Sequence, residues 1–67
     1  MKIYFNNDLI DLPNDHMTLS DFLNWKEVKL AGTAVAVNNK IVRKNNWDTT
    51  PLFALDNVTV ITAAFGG

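Results

Sequence analysis

The chain contains no cysteine. At 67 residues, that constrains the fold more than any motif does. A chain of this size buries only roughly 60% of the surface that its unfolded form exposes. Without disulfide staples or thiolate zinc sites, one apolar core must hold it together. The composition allows this, with 48% hydrophobic and 19% charged residues. A large catalytic cleft does not fit inside such a domain. The missing cysteines also remove a thiol nucleophile, and they fit a reducing compartment.

Charge excludes further classes. Six Lys and Arg stand against seven Asp and Glu, for a net charge of -1. There is no basic surplus to hold a phosphate backbone, so nucleic acid is not an expected partner. No stretch approaches the ~20 apolar residues of a membrane span. The apolar start Ile3-Tyr4-Phe5 runs into Asn6-Asn7-Asp8, too short for a signal-peptide core. The expected location is the cytoplasm.

Ile3 and Phe5 alternate with Lys2 and Tyr4, and Ile10 and Leu12 with Leu9 and Asp11. Asn6-Asn7 between them suits a tight turn, which predicts a hairpin over 2–6 and 8–12. Thr18 and Asp21 have the spacing of a helix start, with Asp21 in the first turn where negative charge is favoured. Leu19, Phe22 and Leu23 then form one buried face of a helix over 19–26. Gly32 marks a turn. Residues 34–37 are apolar, Asn38-Asn39 predicts a second turn, and Ile41-Val42 follows. The polar stretch 45–51, Trp47 apart, reads as a loop. Residues 58–62 are rich in β-branched side chains and predict the last strand, which residues 63–67 carry to the terminus. One helix covers one face of a sheet, so the expected class is α+β: a mixed sheet of four to five strands with one main helix packed across one face, in a single domain over 1–67. If the first and last strands lie side by side, this is a β-grasp. The expected core is Ile3, Phe5, Ile10, Leu12, Leu19, Phe22, Leu23, Val35, Val37, Val58 and Val60. Trp47 is expected as a plug beneath its loop and Trp25 as a half-exposed cap. Lys26 and Lys29 suit the helix C-terminus.

Catalytic groups are sparse. There is no phosphate-binding glycine loop. His16 is the only histidine and lies beside Asp15, where it reads as a surface residue. Asp8, Asp11 and Asp15 miss the spacing of a calcium loop, so no metal site is expected. The chain reads as a carrier or protein substrate, not an enzyme, and no cofactor is expected on it.

The last two residues carry the strongest functional signal. The chain holds three glycines, and two of them are Gly66 and Gly67. At about 7% glycine, chance gives such an end in roughly 0.5% of chains. Glycines make a thread of bare backbone that fits a narrow channel. The terminal carboxylate is ionised at neutral pH. Residues 65–67 are therefore expected to form a flexible tail that delivers the Gly67 carboxylate to a partner.

A small domain of this pattern resembles the ThiS family of sulfur carriers in thiamine biosynthesis. The resemblance spans the chain. It rests on Val37-Asn38, Ile41-Val42, Lys44, Trp47, Leu52, Asp56, Val58, Val60 and Gly66-Gly67, with Met1-Lys2-Ile3 and Thr18-Leu19 at the other end. Two turns depart from the pattern: Ala54-Leu55-Asp56 stands where Asp-Gly-Asp is usual, and Asn6-Asn7 where Asn-Gly is common. The resemblance implies a ubiquitin-like β-grasp fold. It also implies two partners. A ThiF-type, E1-like adenylating enzyme would use ATP to activate the Gly67 carboxylate, and a sulfur donor acting there would convert it to a thiocarboxylate. A ThiG-type thiazole synthase would then take the sulfur for the thiazole ring. ATP and the sulfur donor act through the partner. Related alternatives are the small subunit of molybdopterin synthase, which tends to be longer, and a ubiquitin-like modifier. An interaction module with an accidental Gly-Gly end is a third.

Strand alternation adds a candidate surface. If Val58 and Val60 face the helix, then Thr59, Ile61, Ala63 and Phe65 face away, as do Tyr4, Ala34 and Ala36. These residues lead into Gly66-Gly67. Tyr4, Ala36, Ile61, Ala63 and Phe65 are the expected partner-binding residues.

Overall fold

The computed structural model describes residues 1–62. The elements are β1 (Lys2–Phe5), β2 (Asp8–Asp11), α1 (Leu19–Trp25), β3 (Thr33–Val37), β4 (Lys40–Val42), a 3-10 helix (Lys44–Thr49) and β5 (Asn57–Thr62). The five strands form one sheet in the order β2-β1-β5-β3-β4. The last strand lies at its centre, parallel to β1 and antiparallel to β3. With α1 packed across one face, this is the ubiquitin-like β-grasp.

Asparagines make both hairpins. Asn6 and Asn7 have φ of 48° and 73°, and Asn38 and Asn39 have 52° and 69°. Two successive left-handed residues give the turn whose twist matches paired strands, and Asn tolerates that region better than most residues. Each turn is also fastened to β5. The Asn6 amide donates to the Val58 carbonyl, and its side-chain oxygen accepts from the Val60 amide at 2.8 Å. Asn38 Nδ2 donates to Asp56 Oδ1 at 3.0 Å, and Asn38 Oδ1 accepts from the Asn57 amide at 2.9 Å. Asp56 Oδ2 accepts from the Phe53 amide at 2.8 Å.

The helix starts as its sequence predicts. Thr18 accepts from the Asp21 amide, and the Asp21 carboxylate accepts from the Thr18 amide, a reciprocal cap. The stop comes at a residue without glycine's freedom. Glu27 sits at φ 59°, its amide donates to the Asn24 carbonyl, and the Val28 amide donates to the Leu23 carbonyl. That pair of bonds is the Schellman termination.

Ile3, Leu12, Leu19, Phe22, Leu23, Val35 and Val58 are buried, as expected. Phe5, Ile10, Val37 and Val60 are partly buried and pack against them. Met17 and Leu52 belong to the core as well, although neither belongs to a periodic apolar pattern. The segment read as a loop forms the 3-10 helix instead. It carries Trp47 inward, where Nε1 donates to the Val42 carbonyl at 2.9 Å. Trp25 is half exposed and tilts against Phe22 at 6.3 Å between ring centroids. Phe5 meets Phe22 edge-on at 5.3 Å.

Leu55 stands at φ 67°, at the turn where glycine is usual in the resembling family. The left-handed region is unfavourable to a γ-branched residue by about 1–2 kcal/mol. Leu55→Gly removes that penalty and raises unfolded-state entropy by about 0.4–1 kcal/mol. A net gain of about 0.5–1 kcal/mol in urea unfolding is therefore expected. A loss would show that the Leu55 side chain contributes packing that outweighs the backbone term. In the core, Phe22→Ala is expected to destabilise by about 3–5 kcal/mol. An unchanged midpoint would contradict the helix register.

Candidate functional site

Two regions invite attention: the open face of the sheet and a groove beside the N-terminus. Register decides the first. Tyr4 pairs with Leu9 on one side and Asn57 on the other. Ala36 pairs with Thr59 and Ile41, and Ala34 pairs with Ile61. Paired residues share a face, and residues two apart on one strand do too. Leu9, Tyr4, Thr59, Ala36, Ala34, Ile41 and Ile61 thus share the face opposite α1.

The structure brings Tyr4, Ala36 and Ile61 together there. Ala63, Phe65, Gly66 and Gly67 lie outside the described residues. Leu9 and Ile41 lie on the same face, in addition to the residues expected to bind a partner. Exposure is 39% for Tyr4, 50% for Leu9, 58% for Ile61 and 69% for Ile41. Four large apolar side chains are open on one face, with Ala34, Ala36 and Thr59 between them, and exposed apolar surface so concentrated marks an interaction surface. The signal for Leu9 and Ile41 was present: a two-residue turn sets Leu9 opposite Tyr4, and the second turn sets Ile41 opposite Ala36. The expected outcome for Ile61→Asp is a loss of at most about 1 kcal/mol in unfolding free energy, because this face is open to water. A larger loss would place Ile61 in the core.

The groove has a volume of about 540 Å³ and is lined by Met1, Asp15, His16, Met17, Thr18, Asp21 and residues 51–54. The Met1 ammonium lies 3.0 Å from Asp15 and 3.6 Å from Asp11. The hydrogen bond to Asp15 holds the ammonium above its ordinary value of 8.0, with help from the charges of Asp15 and Asp11. The same bond holds the Asp15 carboxyl below its ordinary 3.8. The sign follows from linkage. Asp15's contribution to stability is present above the ordinary carboxyl value and lost as pH falls through the lowered one. Met1's is present below its ordinary value and lost as pH rises through the raised one. Asp15→Asn is expected to move the Met1 amine midpoint down towards 8.0, as read by NMR titration. An unmoved midpoint would contradict the pairing. His16 is exposed and lines the same groove as Asp15 and Thr18. Among the described residues, no group of three or more His, Asp or Glu is arranged to hold a metal ion. No described helix is long and apolar enough to cross a membrane.

Comparison with known proteins bears on the whole chain. The family model described as "ThiS family" matches residues 3–67. A search of the curated proteins gives no match. Among solved structures, the crystal structure of a thiamine biosynthesis protein (ThiS) from Geobacter metallireducens superposes with a TM-score of 0.88. The two chains are 19% identical, and the match covers 100% of each. At that identity the likeness carries the fold.

Proposed function

The chain belongs to the ThiS family, and from that premise we propose that it is a sulfur carrier of thiamine biosynthesis, loaded at the Gly67 carboxylate. Carriers of this kind are protein substrates of the enzymes that load and unload them. The observation that carries the reading is the family match running through to a Gly-Gly end.

The chemistry begins with a poor acyl donor. A carboxylate has no adequate leaving group. In a ThiF-type enzyme, a Gly67 oxygen attacks the α-phosphorus of ATP and pyrophosphate leaves. The resulting acyl-adenylate has AMP as its leaving group. A persulfide sulfur attacks the acyl carbon, AMP departs, and a second thiol cleaves the acyl disulfide. The product is a thiocarboxylate, whose sulfur is a better nucleophile than the carboxylate oxygen it replaces. A ThiG-type thiazole synthase is the proposed acceptor.

The fold sets the geometry of delivery. Five residues follow Thr62, and a chain extends at most about 3.6 Å per residue, so the carboxylate lies at most about 18 Å beyond β5. The partner must grip the domain within that distance of its own active site. The face bearing Tyr4, Ala36 and Ile61, with Leu9 and Ile41, suits that grip, and Ala63 and Phe65 continue the sequence towards Gly66. Both enzymes would use it, in turn and exclusively.

Deletion of Gly67 is expected to abolish acyl-adenylate formation by the adenylating enzyme and to leave the unfolding midpoint unchanged, since the buried core among the described residues spans Ile3 to Val58. Transfer of AMP or sulfur to the truncated terminus would refute the carrier reading. Ile61→Asp is expected to weaken binding to both enzymes, and full-strength binding to both would remove the sheet face from the account.

A further inference from the structure

Strand direction fixes where charge lies along the sheet. β4 and β5 each run antiparallel to β3, so they point the same way. Val42, Val35 and Val60 form one cross-strand row. On β5, Ile61 and Thr62 come one and two residues past that row. On the chain leaving β4, Arg43 and Lys44 do the same. Thr33 pairs with Thr62, and its hydroxyl donates to the Lys29 carbonyl. Three of the six Lys and Arg residues therefore gather at the end of the sheet where β5 passes into residues 63–67.

Lys29, Arg43 and Lys44 are all exposed, and none makes an ion pair among the described residues. Their acidic neighbours in sequence are Glu27 and Asp48. Much of the remaining acidic charge lies towards the other end. Asp11 and Asp15 surround Met1, Asp21 caps the start of α1, and Asp56 precedes β5. A chain of net charge -1 thus carries three of its six cationic side chains beside the end of β5.

We propose that Lys29, Arg43 and Lys44 form a collar that docks on a carboxylate-rich rim around the mouth of the partner's active site. The proposal rests on the carrier reading and names the chemistry of the surface that carrier meets. Charge complementarity is the argument. A net negative protein gains no overall attraction to an acidic rim, but a cationic end turned towards it steers the encounter in one orientation. The collar borders the apolar face at Ile41 and Ile61, so a partner contacting both would have an apolar centre and a charged margin. The collar selects orientation, and the apolar face holds the complex once formed.

The test compares two double reversals with the same change in net charge. Association with the ThiF-type enzyme is measured by stopped flow over a range of salt for the unaltered protein, R43E/K44E and K2E/K40E. R43E/K44E is expected to slow association at least about tenfold at low salt and to flatten its salt dependence, while K2E/K40E has a much smaller effect. R43Q/K44Q provides a gentler variant, expected to fall between, with an unfolding midpoint matching the unaltered protein. Equal slowing by both reversals, or none by either, overturns the collar and leaves the carrier reading standing. Failure of the unaltered protein to bind overturns the carrier reading, and the collar with it.

Discussion

Val58 ties the two ends of the chain together. It is fully buried, pairs with Phe5 on one side and Val37 on the other, and its carbonyl accepts from the Asn6 amide. β5 is the last of the described strands and the centre of the sheet. Without it, β1-β2 and β3-β4 are two separate hairpins, and isolated hairpins are marginal in water. The side-chain bond from Asn6 to the Val60 amide spans 54 positions of sequence. A domain with no disulfide achieves closure in this way, by inserting its final strand between its earlier ones.

β5 is paired with β1 at Asn57 and Val58 and with β3 from Val58 to Thr62. α1 covers one face of the sheet and leaves the other free. The apolar side chains on the free face are therefore an accessible surface at no expense to the core.

Much of this is legible in the residues. Thr18, Asp21 and the Leu19-Phe22-Leu23 face specify the helix, because cap chemistry and periodicity agree. The asparagine pairs specify both turns. Other features lack a local signature. Met17 and Leu52 are single apolar residues in connections, brought together by the pairing of Thr18 with Pro51 and by the Leu52 amide donating to the Met17 carbonyl. The 3-10 helix is polar apart from Trp47, so its shape follows from one indole being drawn under Val42. Glu27 and Leu55 take left-handed conformations that sequence assigns to glycine, because neighbouring hydrogen bonds impose them.

The residues that carry the family resemblance divide in the same way. Asn38 and Asp56 lock one turn to β5, Trp47 and Leu52 fill the core, and Val58 and Val60 line it. These positions specify the fold. The proposed chemistry rests on the final glycines and is read from what a terminal carboxylate can do. The most direct test is therefore the intact mass of the native protein purified from its source cells under thiamine limitation. Replacement of one carboxylate oxygen by sulfur adds about 16 Da, and the gain must lie in the C-terminal fragment, because oxidation of Met1 or Met17 adds a similar mass at the other end. That shift at Gly67 is the expected result. An unmodified C-terminal fragment under conditions that demand thiamine synthesis would contradict the account.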